Sequence, residues 1–170
     1  MKVKIGGYPN YHYLLDKFFG WNPKQKISVR IDNHDTWNMD HTLALIIHPM
    51  LVQLKETKHG APAVEFKDVP EEFMPPDVEA VKKLYMEKGE TDENYFKRWD
   101  WVLDEMIWAF EQKCRDNWED DYYGDYIEDQ KNGPLGGRFE WINHDDMKKH
   151  QKRMSNGFRL FGKYYENLWD

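Results

Sequence analysis

Between Thr91 and Cys114 the chain carries apolar residues on two sides of one helical pattern, and this feature limits the fold more than any other. Phe96, Trp99, Leu103, Met106, Ile107, Phe110 and Cys114 recur at helical spacing as one stripe. Trp101 and Trp108 stand two turns apart on the other side, with Glu105 and Gln112. A helix apolar on two sides is covered from two sides, so it is expected at the centre of the fold. Cys114, at the end of the stripe, reads as a core residue and not as a nucleophile. Asp92 and Glu93 suit the positive first turn of this helix.

Other helices must supply the cover. Leu43, Ile46, Ile47, Met50, Leu51 and Leu54 predict one from about Trp37 to Lys58, with Thr36 or Asn38 as cap and Lys58, Gly60 and Pro62 as stop signals. Pro49 removes a backbone donor in mid-pattern and is expected to kink it near Leu45. Another starts at Asn143, a cap for Asp146, and places Met147, Met154, Phe158, Phe161, Tyr165 and Leu168 on one side. Val78 to Lys88 keeps helical spacing after Asp77, which suits a cap. Strand signals are short: Lys2 to Ile5, Lys26 to Ile31, and Arg138 to Ile142 after the turn-forming Gly133-Pro134-Leu135-Gly136-Gly137. The expected architecture is a single globular domain over 1–170, α+β and mainly α-helical, with three principal helices and a small antiparallel sheet.

Composition excludes several classes. A net charge of −7 over 170 residues is wrong for a generic nucleic-acid binder, and 8 Trp, 10 Tyr and 9 Phe are far too many for a disordered chain. Thr42 to Leu54, the longest uncharged stretch, is too short to span a bilayer, and the first eight residues lack the apolar core of a signal peptide. One cysteine forms no internal disulfide, which points to a reducing compartment.

Three blocks carry a resemblance. They are Arg30-Ile31-Asp32-Asn33-His34-Asp35-Thr36-Trp37-Asn38-Met39-Asp40 with Thr42 to Val64, then Asn94 to Gln112, then Arg153 to Asp170, whose Ser155-Asn156-Gly157-Phe158-Arg159-Leu160-Phe161-Gly162 run is the most distinctive. In style these blocks resemble an uncharacterised family of tailed-bacteriophage proteins with marine and metagenomic members. The resemblance implies a phage protein made in the cytoplasm of the infected bacterial host. It implies no chemistry.

Three groups of side chains are candidates for function. On the central helix Asp100 and Asp104 are i, i+4 neighbours, with Glu105 and Glu111 near them; like charges at that spacing cost about 0.2 to 0.5 kcal/mol unless a cation sits between them. Mg²⁺ on Asp100 and Asp104 would make a nucleotide hydrolase, loosely similar to the all-α nucleoside triphosphate pyrophosphohydrolases. The competing reading is a solvated, salt-bridged face, with Glu93 paired to Lys97 and Glu111 to Arg115. Near the C-terminus Lys149, Lys152, Arg159 and Lys163 share one helix side and would meet phosphates, as nucleic-acid binding requires. They follow an acidic, tyrosine-rich run from Asp116 to Asp129. Trp101, Asp104, Glu105 and Trp108 form the third group, a contact face for a ligand or partner, since Trp anchors recognition sites.

His34, His41 and His48 recur every seven residues, but on a helix that separation is about 10 Å, too far for one zinc. Asp35, Asp40 and His41 would cluster at the start of the first helix, either as caps or as an anion site. No Ser or Cys stands in a nucleophile context.

The expectation is therefore a phage accessory protein that binds a host or phage protein, or a small phosphorylated ligand, without turnover. The alternatives are the Mg²⁺-dependent hydrolase and nucleic-acid binding. No membrane association is expected, and the aromatic surface also suits a homodimer.

Overall fold

The computed structural model describes residues 2–5, 17–20, 27–115, 117–127, 138–141 and 143–169. Two compact units make up the chain, Met1–Thr42 and Leu43–Asp170. The fold is α+β and mainly α-helical.

In the first unit, strands β1 (Lys2–Ile5) and β2 (Ile27–Arg30) pair antiparallel, with Val3 opposite Val29 and Ile5 opposite Ile27. A 3-10 turn over Asn33–Thr36 follows. Asp32 accepts from the His34 amide at 3.2 Å, and Asp35 accepts from the Asp32 amide at 2.6 Å. The two carboxylates thus close a reciprocal capping box on this turn. Asp35 is therefore engaged one turn earlier than the long helix that the sequence assigned it to cap.

Helix α1 (Met39–Thr57) continues through Pro49. Its inward stripe keeps Ile47, Leu51 and Leu54 of the predicted one and adds Ala44 in place of Leu43 and Met50. Ala44 and Leu51 are buried and Ile47 and Leu54 pack on the core, whereas Leu43 and Met50 are exposed. Two 3-10 turns, Phe66–Asp68 and Glu71–Phe73, lead to helix α2 (Val78–Lys88). Asp77 caps α2 by accepting from the Ala80 amide at 2.9 Å, and Gly89 ends it at φ +68°, a left-handed conformation that glycine adopts without cost.

Helix α3 (Tyr95–Cys114) is central, as its two-sided pattern requires. Trp99, Val102, Leu103, Met106 and Ala109 have essentially no exposure, and each large one of these contributes about 1.5 to 3 kcal/mol by burial. The helix starts after Asn94, so Asp92 and Glu93 lie before its first turn and not within it. Phe96 is half exposed and does not belong to the stripe.

A 3-10 turn over Trp118–Tyr122 leads into β3 (Tyr123–Ile127), which pairs antiparallel with β4 (Arg138–Trp141). The acidic, tyrosine-rich run therefore contains a strand that charge had obscured. β4 joins β3 and not the N-terminal strands, so two separate ladders replace the one expected sheet. Lys26 and Ile142, the outer ends of two predicted strands, lie outside the described residues.

Helix α4 (His144–Lys163) is capped by Asn143, which accepts from the Asp146 amide at 3.3 Å. It packs along α3 through His150, Met154, Gly157 and Leu160. Edge-on aromatic contacts close the core: Trp99 with Tyr164 at 5.8 Å, and Phe110 with Phe158 at 5.2 Å and Phe161 at 4.9 Å. Among the described residues no helix is long and apolar enough to cross a membrane.

Candidate functional site

The two aspartates proposed as metal ligands face Lys55 of α1 and Lys58, the residue just after that helix. Lys58 Nζ lies 2.5 Å from Asp100 Oδ1, as an ion pair not aligned as a hydrogen bond, and Lys55 Nζ donates to Asp104 Oδ1 at 2.5 Å. The cation that relieves the i, i+4 repulsion is thus ammonium, supplied once from α1 and once from the residue that follows it. Among the described residues no group of three His, Cys, Asp or Glu is placed to hold a metal ion. The expected helical pairs on α3 are also replaced, since Lys97 donates to Asn94 at 3.0 Å and Arg115 to Asp121 at 3.0 Å.

Trp101, Asp104, Glu105 and Trp108 do not form one open face. Trp101 packs on the core, Asp104 turns toward α1, and Glu105 is buried. Arg153 of α4 donates to both Glu105 carboxylate oxygens, at 2.7 Å and 3.2 Å, while its guanidinium sits 4.0 Å above the Trp108 ring. His150, one turn earlier, is boxed by Trp108, Trp118 and Tyr122 at centroid distances of 4.9, 4.9 and 5.4 Å. Its Nδ1 lies 2.8 Å from the Tyr122 hydroxyl, and its Nε2 is buried without a partner. Burial pushes the His150 ring below its usual range, with Arg115 and Arg153 adding to the effect and Asp121 opposing it.

The basic side of α4 is largely engaged. Lys149 pairs with Asp146 at 2.8 Å, and Arg159 reaches Asp68 at 2.8 Å and Asn156 at 2.9 Å. Lys163 pairs with Asp68 and, at 2.9 Å, with Glu65; Lys152 is exposed. Asp68, almost fully buried, also accepts from the Tyr164 hydroxyl at 2.8 Å, which in turn accepts from the Glu65 amide at 3.0 Å. Burial pushes the Asp68 carboxyl up, but hydrogen bonds from Lys163, Tyr164 and Arg159 outweigh it and hold the group below the usual carboxylate range. Burial and the Asp68 neighbour move the Tyr164 hydroxyl up to about 12. This network pins the 65–68 segment to the end of α4.

That pinned segment is one wall of a pocket of about 400 Å³, which the sequence did not reveal. Residues 63–67, α2 and the start of α3 enclose it. Val64, Phe66, Val78, Val81, Tyr85 and Tyr95 supply its apolar surface, and Lys67, Lys82, Glu65, Glu90 and Asp92 its charges, with Arg98 behind. Arg98 is buried: it forks onto the Asp92 carboxylate, donates to the Phe73 carbonyl at 3.1 Å, and lies 4.9 Å from the Phe66 ring centroid and 5.9 Å from that of Tyr95. The Arg98 guanidinium holds the Asp92 carboxyl below its usual range. Burial, with Tyr85 beside it, moves the Tyr95 hydroxyl up to about 12, and that hydroxyl donates to the Ala61 carbonyl at 3.1 Å. The one signal in the sequence was Arg98 beside Trp99, a residue of the predicted core stripe, because a buried arginine requires a carboxylate and Asp92 lies six residues earlier.

No protein-family model, curated protein or solved structure matches this chain.

Proposed function

We propose that this protein acts by binding and not by turnover, and that its pocket receives an apolar group of a ligand. One observation carries the reading: the pocket is hydrocarbon-lined, of a size that small ligands occupy, and its buried cation is already matched by a carboxylate of the chain. Three cations, Lys67, Lys82 and Arg98, line it together with three carboxylates, Glu65, Glu90 and Asp92. That balance favours an apolar group over a phosphate. The carboxylates suited to hydrolysis, Asp100 and Asp104, are held by lysines, which argues against the Mg²⁺-dependent alternative. Nucleic-acid binding is likewise weakened, because Lys149, Arg159 and Lys163 are paired with carboxylates. The sequence resemblance supplies the setting for this reading, an accessory protein of a tailed phage in its infected host.

A thermal-shift screen tests it, using neutral aromatic and aliphatic compounds, nucleotides, Mg²⁺ and duplex DNA, with products followed by chromatography. A raised melting temperature without product, lost in the pocket-filling variant Val81→Trp, is the expected result. Product formation with Mg²⁺ would replace the reading by the hydrolase. Salt-sensitive retention on DNA would replace it by nucleic-acid binding.

A further inference from the structure

We infer that the pocket takes a flat, uncharged aromatic ring system of one or two cycles, an assignment that rests on the binding reading above. The first support is the wall. Tyr85 and Tyr95 lie nearly parallel, 25° apart with centroids at 6.1 Å, and Tyr85 remains 42% exposed, so the stack has ring surface left for another member. Phe66 adds a third ring, and Val64, Val78 and Val81 add branched hydrocarbon. Aromatic pairs gain beyond the area that they bury, which a linear aliphatic chain in the same space does not.

The second support is the fate of the polar groups. Lys67 is paired with Glu65 at 2.8 Å and Lys82 with Glu79 at 2.7 Å, so both mouth lysines start with a carboxylate partner. Arg98 has its donors on Asp92 and Phe73, and ring faces lie against its guanidinium. The Tyr95 hydroxyl donates its one proton to the Ala61 carbonyl, so it has no donor left for an anion. An anion entering here would compete with carboxylates already in place. A neutral ring displaces only water.

The experiment is a chemical-shift titration of the full chain with indole, indole-3-acetate and 1-octanol, on the unaltered protein and on Tyr85→Leu. Indole is expected to move the amide signals of Val64, Val81 and Tyr85, and to bind at least tenfold more tightly than either other probe. Tyr85→Leu is expected to weaken indole fivefold or more and to leave 1-octanol unchanged. Equal or tighter binding of 1-octanol would overturn the ring assignment while the binding reading stands. Tighter binding of indole-3-acetate would overturn the uncharged character alone. If no probe moves the pocket signals, the pocket itself is not a binding site and both fall.

Discussion

Gly157 of α4 lies directly against Ala109 of α3: a Cβ built at Gly157 would stand 2.4 Å from the Ala109 Cβ and 2.5 Å from the Glu105 carbonyl oxygen. The two helices meet here with no room for a side chain, and the backbone oxygen has no rotamer by which to withdraw. This contact sets the depth at which Arg153 and His150, on the same face of α4, reach α3.

Gly157→Ala is therefore expected to destabilise the protein. Overpacking costs about 1 to 3 kcal/mol and the better helix propensity of Ala returns about 1, leaving a net loss of up to about 2 kcal/mol in a urea melt. Gly162→Ala in the same helix, where a Cβ would meet nothing within 4 Å, is expected to gain a few tenths of a kcal/mol. Equal effects of the two substitutions would refute the close contact.

Asp68→Asn removes the charge that joins Arg159, Lys163 and Tyr164, at a cost of about 2 to 3 kcal/mol by denaturant unfolding. The pH dependence has a definite sign. Asp68 has a folded value below its ordinary 3.8, so its contribution is fully present above that pH and is lost as pH falls through the folded value. The unaltered protein should thus lose stability more steeply below about pH 4 than Asp68→Asn does. Parallel acid limbs would show that Asp68 does not carry this network.

His150 acts with the same sign as Asp68, through its own depressed value. Its folded value is depressed below the ordinary 6.5, so between the two values the unfolded chain binds more protons and stability falls with falling pH. Below pH 6.5 the His150→Phe variant, which keeps a ring among Trp108, Trp118 and Tyr122, should lose that slope. An unchanged slope would assign it to another group.

Asp104→Asn breaks the ion pair with Lys55, in which both partners are partly exposed, and should cost less than about 1 kcal/mol. Mg²⁺ should leave the melting temperature of both proteins where it was. A Mg²⁺-dependent rise in the unaltered protein that Asp104→Asn abolishes would restore the metal reading.

Local chemistry in the sequence determined the helices. Asp77, Gly89 and Asn143 bound α2 and α4 through caps whose partners lie within four residues, and the two-sided apolar pattern made α3 central. Strand partners were less legible, because a two-stranded ladder depends on register across a connection and β3, with two tyrosines and one aspartate, lies in an acidic run. Apart from Arg98 and Asp92, six residues apart, the site belonged to tertiary structure. Lys55 and Asp104 are 49 positions apart, Glu105 and Arg153 are 48, and Asp68 and Lys163 are 95. Periodicity shows which face of a helix a charge occupies, but only the packing of one helix on another decides which opposite charge it meets. That decision turned a candidate metal pair into lysine pairs, engaged much of a candidate phosphate face, and left a pocket with apolar walls between residues 63–67, α2 and α3.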